Sequence, residues 1–280
     1  MDFPRRIVCL TDETSETLYL LGEQDRIVGV SGFSTRPPAV HTKPRVSTFQ
    51  SANIDAIRAL NPDLVLAFSD VQADLVRQLV LNGFNVLSFN QRSVSEILDM
   101  MALLARMVER EREGAQLIAQ LRRGLDEIAA SAQCFPLRPR VFFEEWNEPL
   151  ISGIQWVDEL IAIAGGEVIF PEKSACPRAM DRVVDPAAVL ERDPEVIFIS
   201  WCGKKANLPQ ILSRPGWSSI SAVRNGHVYE IPSSCILQPG PAALTDGVRL
   251  LHDHLCRVAG VEPLSAAPSG GIPQPLAPVN

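Results

Sequence analysis

Residues 53–68 read NIDAIRALNPDLVLAF, and residues 185–200 read DPAAVLERDPEVIFIS. In both stretches a short helix begins after an N-cap side chain and ends before an X-Pro pair, because the residue before proline is driven out of the α region. Each stretch then continues into a strand that is apolar on both faces, as in a parallel sheet with helices on either side. The repeated unit predicts two similar α/β lobes, with a cleft between them where a ligand would bind.

The composition is that of an ordinary globular protein with an acidic surface. The chain has 280 residues, enough for two lobes of usual domain size, and 46% of them are hydrophobic. A net charge of −7 argues against nucleic acid or an anionic membrane as the main partner. No apolar run approaches the roughly 20 residues that a spanning helix needs, so we expect no direct membrane insertion.

The cysteines and the first residues bear on the compartment. The six cysteines include no C-x-x-C pair, so neither a zinc site nor a redox motif is indicated, and we expect reduced thiols. No secretory leader is apparent, because Arg5 and Arg6 lead directly into the apolar run Ile7–Leu10. The sequence as written therefore predicts a cytoplasmic protein, or a periplasmic one if a signal peptide has been removed from it.

Apolar spacing divides the chain into four parts. Residues 1–93 are predicted to form an N-terminal lobe in which strands and helices alternate. Residues 94–135 contain no proline and have helical apolar spacing, so they are predicted to be connecting helices, one of them about 36 Å long. Residues 136–261 are predicted to form a C-terminal α/β lobe. Residues 262–280, rich in proline, glycine, serine and alanine, are predicted to be disordered.

Four segments resemble the helical-backbone substrate-binding proteins of iron-siderophore and cobalamin ABC importers, and most of all the cobalamin-binding members. They are RIVCLTDETSETLYLLG (6–22), VGVSGFS (28–34), VSTFQSANIDAIRALNPDLVLAF (46–68) and RPGWSSISAVRNGHVYEI (214–231). The resemblance covers about residues 5–260 and depends on the order of the segments, not on one motif. It implies an α/β fold of two Rossmann-like lobes joined by one long helix, with the ligand cleft between the lobes. It also implies a non-enzymatic protein that binds a corrinoid as its ligand, not as a catalytic cofactor.

The resemblance also implies where the ligand lies, because in the cobalamin-binding members aromatic residues of both lobes face the corrin ring. Carried onto this chain, the ligand-binding residues are Phe33, Phe49 and Phe68 in the first lobe, and Trp146, Trp156, Trp201 and Gln238 in the second. Flat rings bury a large area at a low cost in rotamer entropy, which suits a macrocycle. Phe49 and Phe68 are expected to face the ligand and not the core, although core packing is the alternative for every one of these rings. No metal site is predicted.

Importer-linked members of the family present one acidic residue on each lobe to arginines of the membrane permease. In the first lobe the matching position is Asp55, which could equally be a carboxylate stabilised by the helix dipole. In the second lobe residues 217–219 contain no acid. The resemblance thus implies an ABC importer permease as a possible partner, and soluble corrinoid handling in the cytoplasm as the alternative.

Other ligands and other classes of protein fit the sequence less well. A ferric siderophore or haem is the alternative ligand, but anionic chelates call for several convergent arginines, and the expected cleft loops offer only Arg36 and Arg178. An enzyme is disfavoured, because the chain has no G-x-S-x-G and no phosphate-binding glycine loop, and His252 and His254 do not share a helix face. A ligand-free scaffold or regulatory protein of the same fold would have a collapsed cleft without exposed aromatic residues.

Overall fold

The structure is a computed structural model that describes residues 4–264, in which the strands form two sheets. The first sheet contains β1 (Ile7–Cys9), β2 (Ile27–Ser31), β3 (Arg45–Ser47), β4 (Leu64–Phe68) and β5 (Val86–Phe89). Its order is β3-β2-β1-β4-β5 and its pairs are parallel. The second sheet contains β6 (Arg140–Asn147), β7 (Leu150–Ser152), β8 (Glu167–Val168), β9 (Val196–Ile199) and β10 (Val228–Glu230). There β6 pairs in parallel with β8 and β9 and antiparallel with β7, and β10 continues the sheet beyond β9.

The helices fall into three groups along the chain. Those of the first lobe are α1 (Asp12–Leu20), α2 (Ile54–Ala59) and α3 (Ala73–Leu81), and the connecting helices are α4 (Val94–Met107) and α5 (Glu111–Ala132). The second lobe contains α6 (Gln155–Ala164), α7 (Pro171–Ser174), α8 (Pro186–Arg192), α9 (Leu208–Leu212), α10 (Ser221–Arg224), α11 (Ser233–Ile236) and α12 (Val248–Ala259). Short 3-10 turns occur at Gln24–Arg26, Pro38–Thr42, Asp70–Gln72, Ala179–Arg182 and Trp217–Ser219, and a π-helical turn at Ala243–Gly247 leads into α12.

The repeated sequence unit forms the same local structure in both lobes. The side chain of Asn53 caps α2 by accepting a hydrogen bond from the backbone N–H of Ala56 at 3.0 Å. Asp185 caps α8 in the same way, with the N–H of Ala187 at 2.8 Å. The residue before the proline has a positive φ in both units, 44° in the first and 42° in the second. Both positions hold Asn or Asp, the side chains that tolerate this conformation best after glycine.

The acidic residue after each proline, Asp63 or Glu195, forms hydrogen bonds that connect the strand after it to the neighbouring strand. The carboxylate of Asp63 accepts a hydrogen bond from the N–H of Arg6 at 3.1 Å, and that of Glu195 from the N–H of Arg140 at 2.9 Å. The backbone N–H groups of the same two acids donate to the carbonyls of Arg6 and Arg140, at 2.9 and 2.8 Å. The acid therefore fixes the register at which β4 joins β1, and β9 joins β6.

Helix α5 is the long connecting helix, and a break separates it from α4. The break contains Glu109, whose φ is 62°. The 22 residues of α5 span about 33 Å. Its buried face includes Leu117, Leu121, Leu125 and Ile128, at the helical spacing that the sequence predicted. This face packs against α4 on one side and against α6 and α12 of the second lobe on the other.

One continuous apolar core runs through both lobes. It includes Cys9 of β1, Leu104 of α4, Leu121 of α5, Leu160 of α6 and Leu255 of α12, all of them buried. A relative movement of the lobes would have to open this core and expose apolar area to water. The shared core therefore opposes a separation of the two lobes.

The sequence missed short elements and their ends. Strand β3 ends at Ser47, which places Phe49 in a loop. Strand β6 forms an antiparallel hairpin with β7, and this hairpin positions Trp146. Short elements contain too few residues for a clear period, so their ends depend on tertiary contacts. The domain boundaries expected above stay a prediction, and residues 265–280 of the expected disordered tail lie outside the described residues. Within residues 4–264 no helix combines the length and the apolar character that crossing a membrane requires.

Three buried carboxyl groups make stability depend on pH. Burial raises the pKa of Asp12 to about 6, and that of Glu13 and of Asp158 to about 7. Since the folded-state pKa lies above the unfolded one, these groups stabilise the fold while protonated, and this contribution is lost as the pH rises through 6 to 7.

We therefore expect the free energy of unfolding to fall by about 2–5 kcal/mol between about pH 5.5 and about pH 8, as measured by urea denaturation. Asp158→Asn should flatten this dependence, because the amide cannot ionise. The exposed Asp74→Asn is the matched control and should leave the slope unchanged. A stability that rises over this range of pH would contradict the prediction.

Candidate ligand-binding site

A cavity of about 730 Å³ lies between the lobes, within the roughly 300–1,000 Å³ of typical ligand sites. First-lobe lining residues lie at or after the ends of β2, β3, β4 and β5: Phe33, Thr48, Phe49, Gln50, Phe68, Ser69, Asp70, Val71 and Arg92. The second lobe contributes Glu145, Trp146, Pro149, Ile151, Ile154, Trp156, Pro177, Ala179, Met180, Arg182, Cys202, Gly203 and Leu237. The cavity thus lies at the carboxyl ends of the parallel strands, where open α/β sheets place their ligands.

Five aromatic residues that the resemblance implied as ligand contacts line this one cavity. Phe33, Phe49 and Phe68 approach it from the first lobe, and Trp146 and Trp156 from the second. Each lobe therefore contributes aromatic side chains to the space between them.

These aromatic side chains differ in how much of their surface is exposed. Phe33 is 48% exposed, while Phe49 and Trp146 are half-buried. Phe68 is only 6% exposed and belongs to the shared core, so it packs in the core and forms part of the cavity wall. Trp156 is also buried, and its indole N–H donates to the carbonyl of Ile236 at 2.9 Å. The expectation that Phe68 does not belong to the core is wrong, because the ring is packed in the core. A ligand contact for Phe68 stays a prediction.

Trp201 lies behind the cavity wall and not in it. It is 2% exposed, and its indole N–H donates to the buried carboxylate of Glu144 at 3.2 Å. The ammonium of Lys204 lies 4.6 Å from the centre of its ring and 4.8 Å from that of Trp146. Lys204 also donates to the side-chain oxygen of Asn147 at 3.0 Å. Trp201 therefore supports the lining residue Trp146 through Lys204.

Two further predicted residues lie outside the lining. Gln238 is half-buried beside the lining residue Leu237, and its carbonyl accepts a hydrogen bond from the N–H of Gly240 at 2.8 Å. Asp55 is exposed in the first turn of α2, where its carboxylate is free to meet a partner. A ligand contact for Gln238 and a permease contact for Asp55 stay predictions.

The charged residues that line the cavity in the described part of the chain form two ion pairs. Arg92 Nη2 lies 2.6 Å from Asp70 Oδ1 in the first lobe. In the second lobe Arg182 binds both carboxylate oxygens of Glu145 and donates to the carbonyl of Ser152 at 2.6 Å. The wall therefore has no net charge. Sequence reasoning missed these four residues, although Asp70 and Arg92 could have been found because each follows a strand of the first lobe.

The two arginines that the sequence offered for an anionic ligand are engaged elsewhere. Arg36 lies 3.1 Å from Glu16 and 2.7 Å from Asp246, in a bridge between the lobes that does not line the cavity. Arg178 is paired with Asp181 at 2.8 Å.

Among the described residues, one cysteine, Cys202, lines the cavity. Burial raises the pKa of its thiol, so it stays protonated at neutral pH and is a poor metal ligand. Among residues 4–264 no three His, Cys, Asp or Glu side chains come together as a metal-binding group. His252 and His254 are apart, since His252 contacts the carbonyl of Ala164 at 2.8 Å and His254 stacks on Tyr229.

Comparison with known proteins gives a consistent picture. A family model described as "Periplasmic binding protein" matches residues 7–235. The uncharacterized ABC transporter substrate-binding lipoprotein YvrC of Bacillus subtilis is 27% identical over 261 residues, which cover 90% of this chain and 80% of the relative. The crystal structure of the periplasmic vitamin B12-binding protein BtuF of Vibrio cholerae matches with a TM-score of 0.72 and 26% identity, covering 92% of this chain and 98% of that one. A periplasmic haem-binding protein of Pseudomonas aeruginosa matches with a TM-score of 0.79 over 94% of this chain and 95% of its own, but at 19% identity this likeness concerns the fold alone.

The different burial of Phe68 and Phe49 predicts a large effect on stability for one substitution and a small effect for the other. Phe68→Ala should lower the free energy of unfolding by about 3–5 kcal/mol, because it leaves a cavity in the shared core. Phe49→Ala should change it by less than about 1 kcal/mol, since water already reaches that ring. Urea denaturation measures both, with the buried Leu66→Ala as the positive control. Equal effects of the two phenylalanine variants would be inconsistent with this assignment.

Proposed function

Because this chain belongs to the periplasmic binding protein family, we propose that it is a non-enzymatic protein that binds a corrinoid such as cobalamin between its lobes. Membership confirms the resemblance read from the four sequence segments, and with it the α/β fold of two lobes. The observation on which the proposal depends is a cavity with aromatic side chains from both lobes and no net charge in its wall.

The aromatic side chains suit a flat, largely apolar macrocycle. Phe33 and Phe49 line the cavity from one lobe and Trp146 from the other, and all three retain accessible surface on which a ligand could stack. Stacking of a base on an aromatic ring is worth roughly 1–3 kcal/mol, which is a fair guide to a corrin face. Three such contacts from opposite sides would account for much of a micromolar or tighter affinity.

The charge of the wall favours a corrinoid over the alternative ligands. Ferric siderophores and haem carry carboxylates or other anionic groups, and burying these requires cations that are free to pair with them. Both lining arginines, Arg92 and Arg182, are already paired. The edge of a corrin bears uncharged amides, which need only hydrogen-bonding groups. The open cavity with accessible aromatic residues also argues against a ligand-free scaffold of the same fold.

We further propose that the protein delivers its ligand to an ABC importer permease, as expected of a relative of a transporter substrate-binding lipoprotein. The protein would then act outside the cytoplasm, which agrees with the periplasmic alternative of the sequence analysis and not with a cytoplasmic location. Asp55 is the candidate contact in the first lobe. In the second lobe Ser218 and Ser219 are exposed, but this segment has no acidic residue that matches Asp55. The two lobes would therefore contact the permease through different side chains. Fractionation of the native cells tests the compartment, and recovery in the cytoplasm alone would refute delivery to a permease.

We expect cyanocobalamin to bind one-to-one with a dissociation constant between about 1 μM and about 1 nM. Calorimetry and visible absorbance measure it, with haem and a ferric catecholate titrated in parallel. Both of these should bind more weakly, because the wall offers their anionic groups no free cation. Flat traces with every corrinoid tested would refute the proposed function and leave the fold assignment intact.

Removing the accessible aromatic side chains should weaken binding without unfolding the protein. We expect Phe49→Ala and Trp146→Ala each to cost about 1–3 kcal/mol of corrinoid affinity, since each loses a stacking face. The exposed Leu81→Ala, which lies outside the cavity, is the matched control and should bind normally. If both aromatic variants bind as tightly as the unmodified protein, the stacking model is wrong.

A further inference from the structure

Asp70 lies at the mouth of the cavity and forms an ion pair with Arg92. Its carboxylate lies 2.6 Å from Arg92 Nη2, and its side chain is 53% exposed. The guanidinium of Arg92 lies 5.4 Å from the centre of the Phe68 ring, which is part of the same wall. A ligand that reaches this end of the wall therefore meets an arginine whose charge is cancelled by its neighbour.

The second ion pair of the wall is built differently. The side chain of Arg182 is 1% exposed, and it is held by both oxygens of Glu145 and by the carbonyl of Ser152. Freeing such an arginine would leave a buried charge without a partner, which usually destabilises the fold. In the pair of Asp70 and Arg92 the acid is 53% exposed and the arginine 13%, so opening this pair leaves a guanidinium that water and a ligand can still reach. A single exchange at Asp70 therefore changes the charge of the cavity and leaves its core packing intact.

We propose that Asp70 determines the charge specificity of the site. By occupying Arg92 it rejects tetrapyrroles that carry carboxylates and leaves the cavity suited to amide-bearing ones. The proposal rests on corrinoid binding as the function. Its physical basis is that a carboxylate placed against the wall needs a free cation to replace its lost hydration, and a guanidinium provides two parallel donors for that purpose. Beside Asp70 the incoming carboxylate would meet a repelling acid and a guanidinium whose charge is already paired.

The test uses two porphyrins of the same shape, haemin and its dimethyl ester, which differ in their two propionate charges. Asp70→Asn removes the acid and keeps its size. We expect haemin to bind at least about tenfold more tightly to this variant than to the unmodified protein, since a charge-assisted hydrogen bond becomes available. The ester and cyanocobalamin should change by less than about threefold, because neither gains a charge contact. Visible absorbance follows all three titrations.

Two further variants separate this explanation from a general effect of charge. Asp74→Asn removes another exposed acid from the same lobe, outside the cavity lining, and should leave haemin affinity unchanged. The double variant Asp70→Asn with Arg92→Gln should lose the gain, because the freed guanidinium is gone. An unchanged haemin affinity in Asp70→Asn, or an equal gain for the ester, would overturn the proposal.

The experiment distinguishes this proposal from the proposed function. If cyanocobalamin fails to bind the unmodified protein, corrinoid binding is refuted, whereas the contrast between haemin and its ester still reports on Asp70. If cyanocobalamin binds and the contrast is absent, the function stands and the role of Asp70 is refuted.

Discussion

The packing of α5 against both lobes is the interaction on which the rest of the structure depends. Because Leu117 to Ile128 of this helix belong to a core that also includes β1 and α12, the two sheets share one apolar interior. The cleft is the space that this shared core leaves at the carboxyl ends of the strands. Its width is set by side chains packed far from the ligand, so a ligand meets a surface that is already formed. Preformed surfaces lose less free energy on binding than surfaces that must first be ordered.

Polar contacts between the lobes complement this apolar connection. Glu16 accepts hydrogen bonds from Arg36 and from the N–H of Ala242, and Arg36 reaches on to Asp246 of the second lobe. The side chain of Gln91 donates to the carbonyl of Pro239 across the same boundary. Buried carboxylates are costly unless they are paired or protonated, which is why the neighbouring acids of α1 have a raised pKa. Such directional contacts specify how the lobes meet, whereas apolar packing alone would tolerate small shifts.

The aromatic side chains of the cavity wall fall into two groups, one buried in the core and one accessible. Phe68 and Trp156 are fixed by the core and define the shape of the space, while Phe33, Phe49 and Trp146 keep surface available for a ligand. Charges at the wall are cancelled in place by partners of the same lobe, which leaves shape and stacking as the main sources of affinity. A ligand recognised in this way must be flat, large and close to neutral. These requirements point to an amide-bearing macrocycle more than to an anionic chelate.

By itself the sequence determined the repeated helix–proline–strand units, the parallel strands that follow them and the long connecting helix. These features depend on caps, on proline and on apolar periodicity, all of which act between residues close together in the chain. The family resemblance, and not the local pattern, implied most of the aromatic residues that line the cavity. The tertiary structure alone decided that Trp201 turns inward, since its partner Glu144 is 57 residues away. It alone decided the charge of the cleft as well, because an arginine's effect on a ligand depends on which acid the fold brings beside it.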